Sequence, residues 1–348
     1  MAVIILLPLG AAALAFLCCL LIISRAEKWN LIDNPNHRSS HTTPTPSGGG
    51  IGIVFAGSLA GFYYLLTEQR AIHSTVILVI SCVLAGIGLY DDRKPMPARW
   101  RLGGQVVLAA SLLFALGDLP EMQRFVDAWF SRTLIYAFLL LVIVWWINLF
   151  NFMDGIDGLA GMQTVFMLSA GVTLLVAPRF DLLVNPLFIW MLCVLGATAG
   201  FLMLNWSPAK IFMGDAGSIY LAFMLLSFGL LSIRNEFIPV VTGLAMWAIL
   251  GATFATDATI TLMTRMLISK RWHEAHRSHV YQRLTRRLGG HGLVTLLYLA
   301  INILWLFPLA VICLLYSQWA VAWAVTAYLP LIGLAVWLGA GRTEEKAL

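Results

Sequence analysis

Residues 133–151 read TLIYAFLLLVIVWWINLFN and carry no charged side chain. A helix of that length, rising about 1.5 Å per residue, crosses the roughly 30 Å hydrocarbon core of a bilayer. Runs of the same kind recur at 2–23, 49–67, 74–90, 102–118, 160–177, 186–204, 216–233, 238–263, 293–316 and 319–339. No soluble core could hold them. Of the 348 residues, 60% are hydrophobic and 11% charged, whereas a soluble domain carries about 25% charge. The runs do not alternate apolar with polar, so they are not the strands of a membrane barrel. The expected fold is therefore all-α: a polytopic integral membrane protein of about eleven transmembrane helices, built as a single membrane-embedded domain over 1–348.

The first run has no basic segment ahead of it and has Arg25 and Lys28 behind it, the pattern of an uncleaved anchor rather than a cleaved leader. Cys18, Cys19, Cys82, Cys193 and Cys313 all lie inside apolar runs and read as small buried hydrophobes, not disulfide partners.

Eleven spans place the loops alternately on two sides. The loops at 24–48, 91–101, 152–159, 205–215 and 264–292, with the tail 340–348, hold 17 of the 22 Lys and Arg. Basic loops stay in the cytoplasm, so the amino terminus is expected outside and the carboxyl terminus inside. Asp91, Asp92, Asp154, Asp157, Asp215 and Glu274 fall on the same basic side. The active site is expected on that cytoplasmic face.

Taken in order, the basic-side loops are unusual. The first holds Asp33, Arg38, His41 and the run Gly48–Gly49–Gly50; it reads either as a solvated linker or as backbone free to approach a ligand closely. The second begins GLYDDRKP, the third is NLFNFMDGIDGLAG and the fourth is NWSPAKIFMGDAGS. The fifth contains His273, Glu274, His276, Arg277 and His279. Its histidine spacing keeps zinc open, although the neighbouring arginines favour phosphate. Asp257 is the one acid well inside an apolar run; such acids are functional candidates by default, but its place near the span end suits a cap or a partner for Arg265.

Aspartates facing bases at a membrane surface suit Mg²⁺, which takes one or two carboxylates and completes its shell with water and substrate phosphates. Phosphoryl-type transfer needs mainly positioning and charge neutralisation, and the membrane setting makes one substrate a lipid. Two other classes remain in view. A transporter or flippase would place polar groups and broken helices at mid-membrane, and a metal-dependent membrane hydrolase would use the histidine series.

The motifs PTPSGGGIG, GLYDDRKP, NLFNFMDGIDGLAG, NWSPAKIFMGDAGS and HRSHVYQRL, in this order, resemble those of the polyprenyl-phosphate N-acetylhexosamine-1-phosphate transferases. That superfamily includes the enzyme that makes the first lipid-linked murein precursor. The resemblance implies attack of undecaprenyl phosphate on the β-phosphorus of a UDP-N-acetylhexosamine, giving the polyprenyl-diphospho-sugar and UMP. It implies Mg²⁺ as cofactor, with Mn²⁺ as a substitute, held by Asp215 and Asp92. Asp91 and Asp92 match the acidic pair that helps the metal or deprotonates the lipid phosphate. A phosphate ester's second pKa is about 6, so at neutral pH no proton need be removed. Asp154 and Asp157, with Asn151 ahead of them, match the pair near the nucleotide. Asn205 and Phe212 match positions that hold the uracil, and His279 matches a diphosphate contact. Lys94 and Arg277 would meet phosphate charge.

Ser47 replaces a basic residue common in relatives, and Tyr281 and Gln282 stand where further histidines are frequent. The chain looks more like the members that start O-antigen or other surface polysaccharides, with a GlcNAc, FucNAc or QuiNAc donor, in the bacterial inner membrane. Its partners are then a UDP-sugar and membrane lipid, not nucleic acid. A homodimer is compatible with the chain, although no residue argues for one.

Overall fold

The computed structural model describes residues 2–35, 43–67, 72–119, 129–268 and 276–342. Every apolar run is helical. The elements are α1 (Ala2–Arg25), α2 (Gly50–Thr67), α3 (Ile72–Arg93), α4 (Ala98–Leu116), α5 (Trp129–Phe152), α6 (Leu159–Val176) and α7 (Pro186–Asn205). They continue with α8 (Asp215–Arg234), α9 (Val240–Leu250), α10 (Ala252–Ile268), α11 (Val280–Leu288), α12 (His291–Ile301), α13 (Phe307–Leu315) and α14 (Ala320–Trp337). The only strands among the described residues are β1 (Ile32–Asp33) and β2 (Thr45–Pro46), an antiparallel pair in the first loop.

Among the described residues, nine helical stretches are long and apolar enough to cross a membrane, and a bent pair makes a tenth. The chain is thus a multi-pass membrane protein. The remaining run is α4, whose first two turns carry Arg99, Arg101 and Gln105; these shorten its apolar stretch.

Helix α8 runs through the middle, packed against α3, α5 and α2, with Tyr220, Phe223 and Phe228 fully buried. On one flank α1 lies against α7. A Cβ on Gly196 would sit 2.2 Å from the Pro8 carbonyl oxygen, and one on Gly200 would sit 2.1 Å from that of Ala12. This small-residue pair, four apart, lets two backbones touch where lipid offers no hydrophobic driving force for helix association.

The 238–263 run reads as one straight span, but the structure breaks it: α9 and α10 meet at a 72° bend across Gly251. A break in hydrocarbon strands backbone polar groups, each costing several kcal/mol if unmet. Here buried side chains meet them. Gln163 donates to the Leu250 carbonyl at 3.0 Å, Asn302 donates to Gln163 Oε1 at 2.7 Å, and Thr253 donates to Asn302 Oδ1 at 3.0 Å. Asn302 itself opens the π-helical segment Asn302–Leu306 inside the next span. The bend gives α10 its own direction, and its last turns lead to the histidine loop.

Candidate active site

The site is built where the carboxyl ends of α3, α5 and α7 meet the amino end of α8. Gly214, the residue ahead of α8, offers no side chain to cap it. Asp92 supplies the cap from α3: the Asp215 N–H donates to Asp92 Oδ1 at 2.9 Å and the Ala216 N–H to Oδ2 at 3.4 Å. A carboxylate there meets both the orphan N–H groups and the positive end of the helix dipole. Asn151, in the last turn of α5, donates to Asp215 Oδ1 and to Ser218 Oγ, both at 2.9 Å.

Asp91 points elsewhere. Its Oδ2 lies 2.7 Å from Arg101 Nη1, its Oδ1 accepts the Met96 N–H at 2.6 Å, and Arg101 Nη1 lies 3.5 Å from Asp215 Oδ2. Arg101, on α4, thus bridges two of the motif aspartates. Sequence reading did not single it out, because it is one of four bases in the second loop, with Arg93, Lys94 and Arg99.

The glycine run that ends the first loop packs on protein rather than on open space. Gly49 and Gly50 donate to the Phe212 and Met213 carbonyls at 2.8 and 2.9 Å, and a Cβ on Gly50 would sit 2.2 Å from Gly217 Cα. Phe212, half-buried, also donates its N–H to the Pro46 carbonyl at 2.8 Å.

Between α5 and α6 the chain turns through 153–158. Asp154 is half-buried here; burial, then the charges of Asp215 and Asp92, push its carboxyl up to about 8. Asp157 is held on both oxygens. His291 Nδ1 lies 3.1 Å from Oδ1, and the Ala209 N–H donates to Oδ2 at 3.1 Å. Burial alone would raise this carboxyl. The hydrogen bond and charge of His291, the Ala209 N–H and the Ser207 hydroxyl outweigh it and hold Asp157 below the usual carboxylate value. Asn205 is buried with both ends of its amide engaged: Oδ1 accepts the Gly158 N–H at 3.0 Å and Nδ2 donates to the Ile211 carbonyl at 2.9 Å. Asp157 and Asn205 therefore staple the third loop to the fourth. His291 was not anticipated, since nothing in a lone histidine after two glycines marks it.

In the fifth loop, His273 and Glu274 lie outside the described residues. His279 is buried at the amino end of α11, where its N–H and the Gln282 side chain form a capping box. Its Nδ1 lies 3.3 Å from Asp257 Oδ1, and its ring stacks between those of His276 and Tyr281, at 5.0 and 5.5 Å. Burial, reinforced by the charges of His279 and Arg265, holds His276 down at about 3. Arg277 leads into α11, its carbonyl accepting from Arg286 at 3.0 Å, and Lys94 is exposed just beyond α3.

The structure thus joins Asp92, Asn151 and Asp215 directly, links Asp91 to Asp215 through Arg101, sets Asp154 within their field, and ties Asp157 and Asn205 into the loop scaffold. Among the described residues no three acidic, histidine or cysteine side chains converge closely enough to enclose a metal by themselves. The oxygen donors, and the crowding of Asp92 and Asp215 that adds to burial in raising Asp154, fit a hard cation that takes one or two carboxylates and fills its shell from water and substrate. They do not suit a closed zinc site.

The model of glycosyl transferase family 4 matches residues 74–233. A Bacillus subtilis (strain 168) protein named probable undecaprenyl-phosphate N-acetylglucosaminyl 1-phosphate transferase is 31% identical over 276 residues, 74% of this chain and 71% of the relative. The chain belongs to glycosyl transferase family 4. A Mycobacterium leprae (strain TN) decaprenyl-phosphate N-acetylglucosaminephosphotransferase is 34% identical over 63% of the chain, which spans 59% of that relative's length. An Escherichia coli (strain K12) undecaprenyl-phosphate alpha-N-acetylglucosaminyl 1-phosphate transferase is 28% identical, covering 75% of this chain and 71% of the relative. The family match takes in the DD pair, the DGID turn and the MGDAGS loop, and it ends before Asp257 and His279.

Proposed function

We propose that the protein transfers an N-acetylhexosamine-1-phosphate from a UDP-sugar to undecaprenyl phosphate, releasing UMP, at the cytoplasmic face of a bacterial inner membrane. The observation that carries the reading is the convergence of Asp92, Asn151 and Asp215 at the amino end of α8, with Arg101 and Asp91 beside them. Relatives named for N-acetylglucosamine transfer make a GlcNAc donor the first candidate. FucNAc and QuiNAc donors, and a role in starting O-antigen, stay within the proposal.

Mg²⁺ would be held by Asp215 and Asp92, where it would neutralise diphosphate charge and favour departure of UMP. The remaining work falls to the chain. Asn151 orients the Asp215 carboxylate through its 2.9 Å bond. Arg101 offsets the charge of Asp91 and Asp215, and its remaining N–H groups are of the type that grips phosphate oxygens. Asp157 and Asn205 fix the turn that carries Asp154, so the nucleotide meets a preformed surface; Phe212 would stack on its base. Part of the lipid tail would lie in an apolar cavity. The cavity, of about 330 Å³, opens among α4, α5, α8, α9 and α10, and its lining includes Trp146, Trp247 and Leu149, two residues before Asn151.

The test is UMP release by purified protein in detergent with undecaprenyl phosphate, Mg²⁺ and a panel of UDP-N-acetyl sugars. Release with one sugar, abolished by EDTA and by Asp215→Asn, is the expected result. No release with any sugar from folded, Mg²⁺-binding protein would overturn the reading.

A further inference from the structure

Asp257 sits in α10 with 3% of its surface exposed, inside a helix that is otherwise apolar or hydroxylic up to Arg265. A bare carboxylate in that setting would be costly. The protein surrounds it with five donors. Oδ1 accepts the Val280 N–H at 2.9 Å and the Thr261 hydroxyl at 3.2 Å, and it faces His279 Nδ1 at 3.3 Å. Oδ2 accepts the Tyr281 N–H at 3.0 Å and the Tyr298 hydroxyl, from α12, at 2.7 Å.

Three consequences follow from this geometry. The two backbone donors are the first N–H groups of α11, so a side chain from another helix caps it, and the cap fixes where α11 begins relative to α10. The ring bond to a carboxylate requires a proton on His279 Nδ1, which leaves Nε2 as the nitrogen able to face a ligand. Finally, Tyr281, held through its N–H by Asp257, donates its hydroxyl to the Phe152 carbonyl at 3.0 Å. It lies so close to Gly155 that a Cβ there would be 2.0 Å from the phenol oxygen. The same carboxylate therefore holds the histidine loop directly and reaches the turn that carries Asp154 through Tyr281.

We propose that Asp257 is a positioning residue of the transfer reaction: it holds His279 in the Nδ1-protonated form with Nε2 presented to the donor diphosphate, and it registers the histidine loop on the Asp154 turn through Tyr281. The chemistry rests on the transferase reading given above; the hydrogen-bond geometry does not. Asp257 itself touches no substrate.

The deciding experiment is nitrogen NMR of full-length protein labelled with ¹⁵N-histidine, with His279→Gln assigning the His279 signals. The expected spectrum shows His279 protonated on Nδ1 at neutral pH, with that signal lost or displaced in Asp257→Asn. In the UMP assay, Asp257→Asn is expected to lower kcat about 10- to 100-fold, the usual cost of removing the outer partner that orients a functional histidine. The KM for the UDP-sugar should move far less. Because one route from Asp257 runs through His279, the double variant Asp257→Asn/His279→Gln should lose much less than the product of the two single losses, any loss beyond that of His279→Gln alone measuring the Tyr281 route. Tyr298→Phe removes one donor, keeps the ring bond, and should retain both the Nδ1 signal and most of the activity.

A wild-type His279 carrying its proton on Nε2 alone overturns the proposal without any variant, so a poorly folded Asp257→Asn does not shield it. Losses that multiply in the double variant also overturn it. If wild-type protein releases no UMP with any sugar, the transferase reading fails, while the histidine spectrum still decides the Asp257 pairing.

Discussion

The carboxylate of Asp92 caps the helix that Asp215 begins: the Asp215 N–H donates to Asp92 Oδ1 across 2.9 Å, although 123 positions separate the two in the chain. One of the proposed metal ligands is therefore also the structural anchor of the other. The two roles can be separated, because asparagine caps a helix about as well as aspartate, whereas alanine costs about 1 kcal/mol. Asp92→Asn is expected to unfold at nearly the wild-type temperature and to lose about 100-fold or more in UMP release, the scale of a lost charge-stabilising group. Asp92→Ala should lose both. Equal thermal destabilisation of the two variants in detergent would contradict the capping role.

Arg101 should prove as important as the motif aspartates. Its 2.7 and 3.5 Å contacts to Asp91 and Asp215 are those of a charge that keeps two crowded carboxylates together. Arg101→Gln is expected to reduce turnover by about 100-fold, within the range for removing one donor to developing charge. Arg101→Lys should recover only part of it, since an ammonium lacks the planar fork. Turnover of either variant near the wild-type value would remove Arg101 from the site.

Asn205 is expected to matter for folding as well as for the base. Asn205→Leu leaves the Gly158 N–H and the Ile211 carbonyl without their present partner, and each buried orphan costs about 1–3 kcal/mol. A marked fall in the unfolding midpoint without nucleotide is the predicted result. A normal midpoint with a raised KM for the UDP-sugar would make Asn205 a ligand contact alone.

The Asp157–His291 pair sets an acid limit to stability. The Asp157 carboxyl is held below its unfolded value. Its contribution is therefore complete above the ordinary carboxylate pKa of about 4 and is lost as pH falls through the lower folded value. Thermal midpoints followed from pH 6 down to pH 3 should decline less steeply for Asp157→Asn than for wild type. Parallel declines would show that other carboxylates govern the acid limb.

Gly155→Ala should disturb the site from the third loop, because its Cβ would press on the Tyr281 hydroxyl. About a tenfold or greater loss of UMP release is expected, of the order that a small misplacement of a positioned group produces. Tyr281→Phe, introduced with it, should restore part of the rate by removing the oxygen in the way. No recovery in the pair would place the effect of Gly155 elsewhere.

Much of this protein was open to reading before any coordinates. A charge-free run longer than about 18 residues has one stable outcome in a bilayer, because only a helix satisfies its own backbone there. The apolar runs are helical, ten of the eleven in stretches that can span a membrane when the bent pair is taken as one, and Asp92 of the second loop meets Asp215 of the fourth with Asp154 of the third in their field. Those acids stood out because a charge at the end of an apolar run is costly enough to be conspicuous. His291 and the role of Asp257 did not stand out, since their partners lie far away in the chain and no local period or spacing encodes a distant hydrogen bond; Arg101 did not because it is one of four bases in its loop. The break at Gly251 was hidden because its stability likewise comes from distant partners: Gln163 on α6 and Asn302 in the following span, which Thr253 of α10 joins by a hydrogen bond.

The sequence by itself determined that the chain is a bundle of membrane helices, because hydropathy acts residue by residue, and it marked the acidic and glycine-rich loops as places where charge gathers. Tertiary structure alone decided which acids share a site and which serve as clamps. Asp92 and Asp157 are equally acidic as letters. One takes up the open end of α8 beside Asp215 and the other is consumed by His291 and Ala209. The difference is made by which donors the packing of distant helices brings within 3 Å or so, the range in which hydrogen bonds hold.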